Sequence, residues 1–104
     1  MNRRIVRIRP AARRDLRALA DWLRREADPQ TAGRVIAAAR RSFDKLAQTP
    51  GLGAPAGAKL AELANARRWR IDGYATYLIF YEPEPRGGVS ILRVLHAAQD
   101  WKRP

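Results

Sequence analysis

The stretch "RRWRIDGYATYLIFYEPEPRGGVSILRVL", residues 67–95, decides the fold. Three apolar, β-branched or aromatic runs are separated twice by turn chemistry. "RRWRI" (67–71), "YATYLIFYE" (74–82) and "VSILRVL" (89–95) read as strands. "DG" (72–73) and "PEPRGG" (83–88) read as the turns between them. Connections this short join antiparallel neighbours. The middle run is apolar throughout Tyr77–Tyr81, so both of its faces should be covered and it belongs inside the sheet.

Upstream the period changes. "RIVRIR" (4–9) puts Val6 and Ile8 on one face and Ile5 on the other, as in a short strand. Pro10 then ends that strand and suits the first turn of a helix. Ala12, Leu16, Leu19, Ala20, Leu23 and Ala27 follow at helical spacing, and Arg13, Arg14, Arg17, Asp21, Arg24 and Arg25 fill the other side. "ADPQ" breaks the pattern: Asp28 is placed to cap a second helix whose first position is Pro29. That helix should bury Ala32, Val35, Ile36, Ala39, Phe43, Leu46 and Ala47 and stop before Pro50. Two helices joined so tightly form an antiparallel hairpin. "PGLGAPAGAK" (50–59) reads as a plain connector without the spacing of a phosphate-binding loop. The expectation is an α+β fold, one domain over residues 1–104 in the order β-α-α-β-β-β, with the helix hairpin on one face of a small, mostly antiparallel sheet.

At 104 residues and 46% hydrophobic, the chain can hold one modest core; a globular chain of this size buries roughly 60–70% of its unfolded surface. The absence of cysteine excludes disulfides, thiolate zinc sites and thiol nucleophiles. No apolar run approaches the ~18 residues of a membrane span, and the basic N-terminus lacks the apolar core of a secretion signal. A soluble, cytoplasmic protein is expected, with no metal and no cofactor. Lys and Arg number 21 against 10 Asp and Glu, for a net charge of +11, and the only lysines are Lys45, Lys59 and Lys102. Arginine forks suit phosphate or carboxylate, so a nucleic acid or an acidic protein is the partner the charge favours. A genome rich in arginine and alanine codons would give part of the same excess.

Five pieces in order, "ARRDLRALADWL", "TPGLG", "RRWRI", "YLIFY" and "RVLHAAQD", resemble the ParE branch of the ParE/RelE toxin superfamily. These are the toxins of bacterial toxin–antitoxin, or plasmid stabilisation, modules. The resemblance covers nearly the whole chain. It implies a compact toxin, a cognate antitoxin (ParD-like or similar) that wraps it with an acidic segment, and operator binding that belongs to the antitoxin. Direct DNA binding by this chain alone is therefore not expected.

The superfamily offers two activities. ParE-type members inhibit DNA gyrase and need a binding surface. RelE-type members cleave mRNA on the ribosome, which requires a base for the 2′-hydroxyl, an acid for the leaving oxygen and cations for the phosphate. His96, the sole histidine, with Arg68 and Arg93, would supply a nuclease; Tyr77, Tyr81 or Trp101 would stack on bases. The gyrase-type reading assigns no catalytic residue and makes Arg67, Arg68, Arg70, Arg93, His96 and Trp101 candidates for target or antitoxin contact. Arg93 alternates with Ile91 and Leu95, which places it on their face; buried there, it needs a carboxylate, and Asp15 of "RRDL" or Asp100 is the candidate. An Asp15–Arg93 pair would tie helix to sheet. Two positions depart from the family pattern: Gln99 stands where members usually carry arginine, and Glu82 where a basic residue often follows "YLIFY". A nucleic-acid-binding module without toxicity is a third option, but no recognised RNA- or DNA-binding motif is present. The gyrase-inhibiting toxin is the favoured reading.

Overall fold

Prolines begin both helices. In the computed structural model, which describes residues 5–99, α1 runs Pro10–Glu26 and α2 runs Pro29–Gln48. Helix α1 buries Ala12, Leu16, Ala20 and Leu23, the expected stripe; Leu19 is half-buried and Ala27 lies just past the helix end. Helix α2 buries Ala32, Val35, Ala39, Phe43, Leu46 and Ala47, together with Ala38 and Ser42. The Asp28 side chain caps α2, accepting from the Thr31 N–H at 2.7 Å and the Thr31 hydroxyl at 3.0 Å. Those bonds favour the carboxylate and hold the Asp28 carboxyl below its ordinary 3.8.

The strands are β1 (Val6–Ile8), β2 (Ala54–Pro55), β3 (Arg67–Ile71), β4 (Tyr74–Pro83) and β5 (Val89–His96). They form one sheet in the order β1-β5-β4-β3-β2. Every neighbouring pair is antiparallel except β1 and β5, which run parallel; the helix hairpin carries the chain from β1 at one edge of the sheet to β2 at the other. The sequence-based element order holds, and β4 lies inside the sheet as its unbroken apolar run requires. Ile79, Tyr81, Val89, Ile91 and Val94 join Phe43, Leu46 and Ala39 in the main core beneath the helices. Burying each large apolar side chain of this kind stabilises the fold by about 1.5–3 kcal/mol. Ser42 also ties α2 to the sheet: its hydroxyl donates to the Ala38 carbonyl and accepts from the N–H of Asp72, in the β3–β4 turn.

The segment read as a plain connector is built into the fold. Residues 54–55 pair with β3, and the chain then crosses the sheet face opposite the helices through a single 3-10 turn, Ala61–Leu63. Ala56, Leu63 and Ala66 are buried there against Leu78, Phe80 and Leu95. Both sheet faces are thus covered, one by two helices and the other by a loop. The second layer has no signature in the sequence, because a three-residue turn and two extended residues carry no periodicity.

Candidate functional site

Strand β5 carries the residues on which the functional question turns, and a bulge sets their orientation. Opposite β4, the register runs Tyr81 with Ile91 but Phe80 with Arg93, leaving Leu92 as an extra residue. The expected alternation therefore fails at one point. Arg93 shares a face with Leu95 and Phe80, while Ile91 points to the helices. Arg93 nevertheless reaches α1. Its Nε donates to Asp15 Oδ2 at 2.7 Å and its Nη2 to Asp15 Oδ1 at 3.0 Å, a two-pronged contact. Its Nη1 donates to Glu62 Oε1 at 3.0 Å, in the 3-10 turn on the opposite face. The Asp15 Oδ2 also accepts the backbone N–H of Val94 at 2.9 Å.

These bonds have a common cause. Strand β1 pairs with β5 only as far as Ile8 opposite Ile91, and the Arg9 N–H makes the last bridge, to the Ile91 carbonyl. Past that point the edge of β5 has no strand beside it, and the Asp15 carboxylate takes the place of one at Val94. Arg93 wraps this edge and fastens the helix layer to the loop layer. Its guanidinium is held more basic than usual, first by the hydrogen bond it donates to Asp15 and further by that to Glu62, against the opposing effect of burial. Glu62 was not legible in the sequence, since nothing in "AELAN" marks it as a partner of a strand 31 residues away.

His96 ends β5 and is exposed. Its ring meets Tyr77 edge-on, with centroids 5.7 Å apart, and its Nδ1 accepts the Ala98 N–H at 3.0 Å. The proton of the neutral ring therefore sits on Nε2. The backbone N–H of His96 donates to Gln99 Oε1 at 2.7 Å, so the Gln99 side chain closes the strand end. Glu82 pairs in register with Ser90, and nothing further in the structure accounts for its departure. Asp100 and Trp101 lie outside the described residues.

The arginines of β3 divide by face. Arg67 is half-buried and donates from Nε to the Gly53 carbonyl at 2.7 Å and from Nη2 to the Gly51 carbonyl at 3.3 Å. Arg68 donates to the Ala56 carbonyl at 3.4 Å, and the exposed Arg70 donates to the Ala75 carbonyl. Arg67 and Arg68 hold the 51–56 segment against the sheet. Tyr81, a candidate base-stacking residue in the sequence, is fully buried; its hydroxyl donates to the Pro50 carbonyl at 2.7 Å and accepts from the Gly53 N–H at 2.8 Å. No base can reach it. A Cβ at Gly53 would stand 2.6 Å from the Arg68 carbonyl oxygen and 2.7 Å from the Tyr81 hydroxyl, so only glycine admits this approach.

His96, Arg68 and Arg93 open onto three different clefts. His96 lines one with Trp22 and Tyr77, Arg68 another with Trp69 and Leu78, and Arg93 a third with Glu62 and Leu92. The residues a nuclease would need are not gathered around one phosphate position. Among the described residues no group of three His, Cys, Asp or Glu side chains is arranged to hold a metal ion, and no helix is long and apolar enough to cross a membrane.

Comparison with known proteins bears on the same residues. A solved structure described as the chromosomal ParDE TA system from P. aeruginosa superposes with a TM-score of 0.70 at 16% identity, over 88% of this chain and 92% of that one. At that identity the likeness speaks for the fold. Comparison with curated proteins gives no match. A family model described as the ParE toxin of the type II toxin-antitoxin system, parDE, matches residues 6–101, which takes in α1, the Asp15–Arg93 clamp and His96. The chain belongs to the ParE toxin family of type II toxin–antitoxin systems.

Proposed function

We propose that the chain is a toxin that inhibits DNA gyrase in the cytoplasm by binding to it, and that a cognate antitoxin neutralises it. The observation that carries the non-catalytic reading is the state of Arg93. Two carboxylates already engage its guanidinium, so it has no free positive charge to offer a cleaving phosphate. A phosphate-cleaving centre needs its cations, base and acid convergent within hydrogen-bond reach of one group. Here the candidate groups face separate clefts, and the sheet face opposite the helices is covered by Leu63 and its neighbours. Arg70 and His96 remain exposed and are available to a partner.

The test is pulse labelling of DNA, RNA and protein synthesis immediately after the chain is induced alone in a bacterial host. Arrest of DNA synthesis first, with gyrase–DNA cleavage complexes accumulating, is the expected result. Arrest of protein synthesis first, with DNA synthesis continuing, would replace this reading with a ribosome-dependent mRNA endonuclease and make His96, Arg68 and Arg93 the residues to mutate.

A further inference from the structure

Trp22 is 48% exposed, more than any other large apolar side chain among the described residues. An indole left in water forfeits one of the larger burials a side chain can supply, so its position needs a reason. Trp22 forms one wall of an open cleft between α1 and the end of β5. Leu19, Tyr77 and Val94 add to the apolar lining, and Arg25 and His96 stand at the same cleft. Its volume is about 510 Å³, within the range of pockets that take a ligand or large side chains.

The polar groups of the cleft divide in two. Its carboxylate and carboxamide oxygens are engaged: the Asp15 oxygens accept from Arg93 and from the Val94 N–H, and Gln99 Oε1 accepts from the His96 N–H. Its donors are open. The Nδ1 of His96 accepts from Ala98, which leaves the ring proton on Nε2 of an exposed side chain. The exposed Arg25 side chain bonds no described residue. An apolar cleft whose free nitrogens are donors selects an occupant that carries an acceptor beside an apolar group. The guanidinium of Arg25 favours a carboxylate over a neutral carbonyl.

We infer that this cleft is the surface through which the chain grips gyrase, and that it takes from gyrase an apolar side chain standing beside a carboxylate. The apolar side chain fills the space against Trp22, Leu19 and Val94, and the carboxylate meets Arg25 and the His96 N–H. Trp, Tyr and Arg are the residues on which binding energy concentrates once a partner excludes water around them. Here Trp22, Tyr77 and Arg25 lie at one cleft. The bonds from Asp15 and Gln99 that close β5 also fix Val94 and His96 within it. A nucleic-acid strand is the poorer fit, because it needs a track of cations along its backbone and Arg25 stands among aliphatic walls. Gyrase is the target in the proposed function, so this inference rests on that reading.

The experiment measures binding of the purified chain to purified gyrase holoenzyme by surface plasmon resonance, with and without duplex DNA, alongside the cleavage complexes gyrase forms on plasmid. Trp22→Ala should keep Tm within about 4 °C of wild type, as a solvent-facing change does. It should weaken gyrase binding roughly 30-fold or more. Arg25→Glu should weaken binding roughly tenfold or more, and it carries the test alone if Trp22→Ala does not fold. Arg86→Glu, in the turn at the other end of β5, should leave binding unchanged. Cleavage complexes should fall in the same order. Wild-type affinity in Trp22→Ala and Arg25→Glu would overturn the cleft assignment while the gyrase reading stands. Equal loss in Arg86→Glu would overturn it too, reducing the effect to net charge. If the wild-type chain neither binds gyrase nor raises cleavage complexes, the gyrase reading fails and this inference with it. Three other results give the cleft to another occupant, and each overturns the proposal. Binding to DNA alone that Trp22→Ala abolishes assigns it to nucleic acid. A dimer in sedimentation that Trp22→Ala dissolves assigns it to a second copy of the chain. Equal, non-additive losses of Tm in Trp22→Ala and in a chain ended at Gln99 assign it to residues 100–104.

Discussion

Replacing Asp15 with alanine tests the account of β5. The carboxylate makes three bonds there, two to the Arg93 guanidinium and one to the Val94 N–H. Hydrogen bonds to charged groups contribute about 1.5–3 kcal/mol each when both partners are buried, and the Val94 bond belongs near the lower end of that range. The guanidinium bonds need a discount. Side-chain exposure is 14% for Asp15 and 26% for Arg93, so solvent screens the pair and Glu62 remains to hold the cation. About 1 kcal/mol is a fair figure for that contribution. Asp15→Ala should therefore cost roughly 2–3 kcal/mol, which in a chain of this size lowers Tm by roughly 8–15 °C.

Asp15→Asn separates the two effects. Its carboxamide oxygen still accepts from Val94, while the charge is gone, so the loss should fall to about 1 kcal/mol. Urea denaturation of both variants, each combined with Arg93→Met, gives the coupling between the side chains directly. A coupling of about 1 kcal/mol for Asp15→Ala is expected. Asp15→Ala losing under about 0.5 kcal/mol, the level of an ordinary surface substitution, would refute the claim that this carboxylate substitutes for a missing strand. So would a coupling of zero.

Other parts of the fold give equally direct tests. Tyr81→Phe leaves the Gly53 N–H without its acceptor and should cost about 1–3 kcal/mol by urea denaturation, with faster amide exchange at Gly53. Leu63→Ala should cost about 2–5 kcal/mol, as a core leucine does; a loss under about 1 kcal/mol would mean that the 56–66 segment merely lies on the sheet. At Asp28 the folded-state pKa is lowered, so the cap contributes fully above the unfolded value and is lost as pH falls through the folded one. The Tm difference between wild type and Asp28→Ala should then be constant from neutral pH down to about 5 and shrink below about 4. A difference that grows on acidification would contradict the sign.

The legible part of the fold is the part with a period. Helical spacing located α1 and α2 because tertiary packing uses the same stripe that the pattern shows, and the Asp28-Pro29 break is chemistry that acts locally. The bulge at Leu92 was hidden because strict alternation is all that a strand's sequence displays, and one inserted residue reverses every inference downstream of it. That is why Arg93 was placed with Ile91 when it belongs with Leu95 alone, although Asp15 was identified as its candidate partner. The loop layer escaped for another reason. Ala56, Leu63 and Ala66 pack against Leu78, Phe80 and Leu95, while Tyr81 and Arg67 bond Gly53 and Arg68 bonds Ala56, all of them contacts between distant parts of the chain that no local pattern encodes.

The distribution of arginines separates structure from recognition. Those of β3 and β5 are used by the fold: Arg67 and Arg68 hold the 51–56 segment, Arg70 bonds the Ala75 carbonyl of β4, and Arg93 closes an edge. On the helix hairpin, Arg13, Arg17 and Arg40 surround an apolar groove, and their side chains bond no described residue. Like charges held this close repel one another, and the folded chain gains nothing from them in isolation.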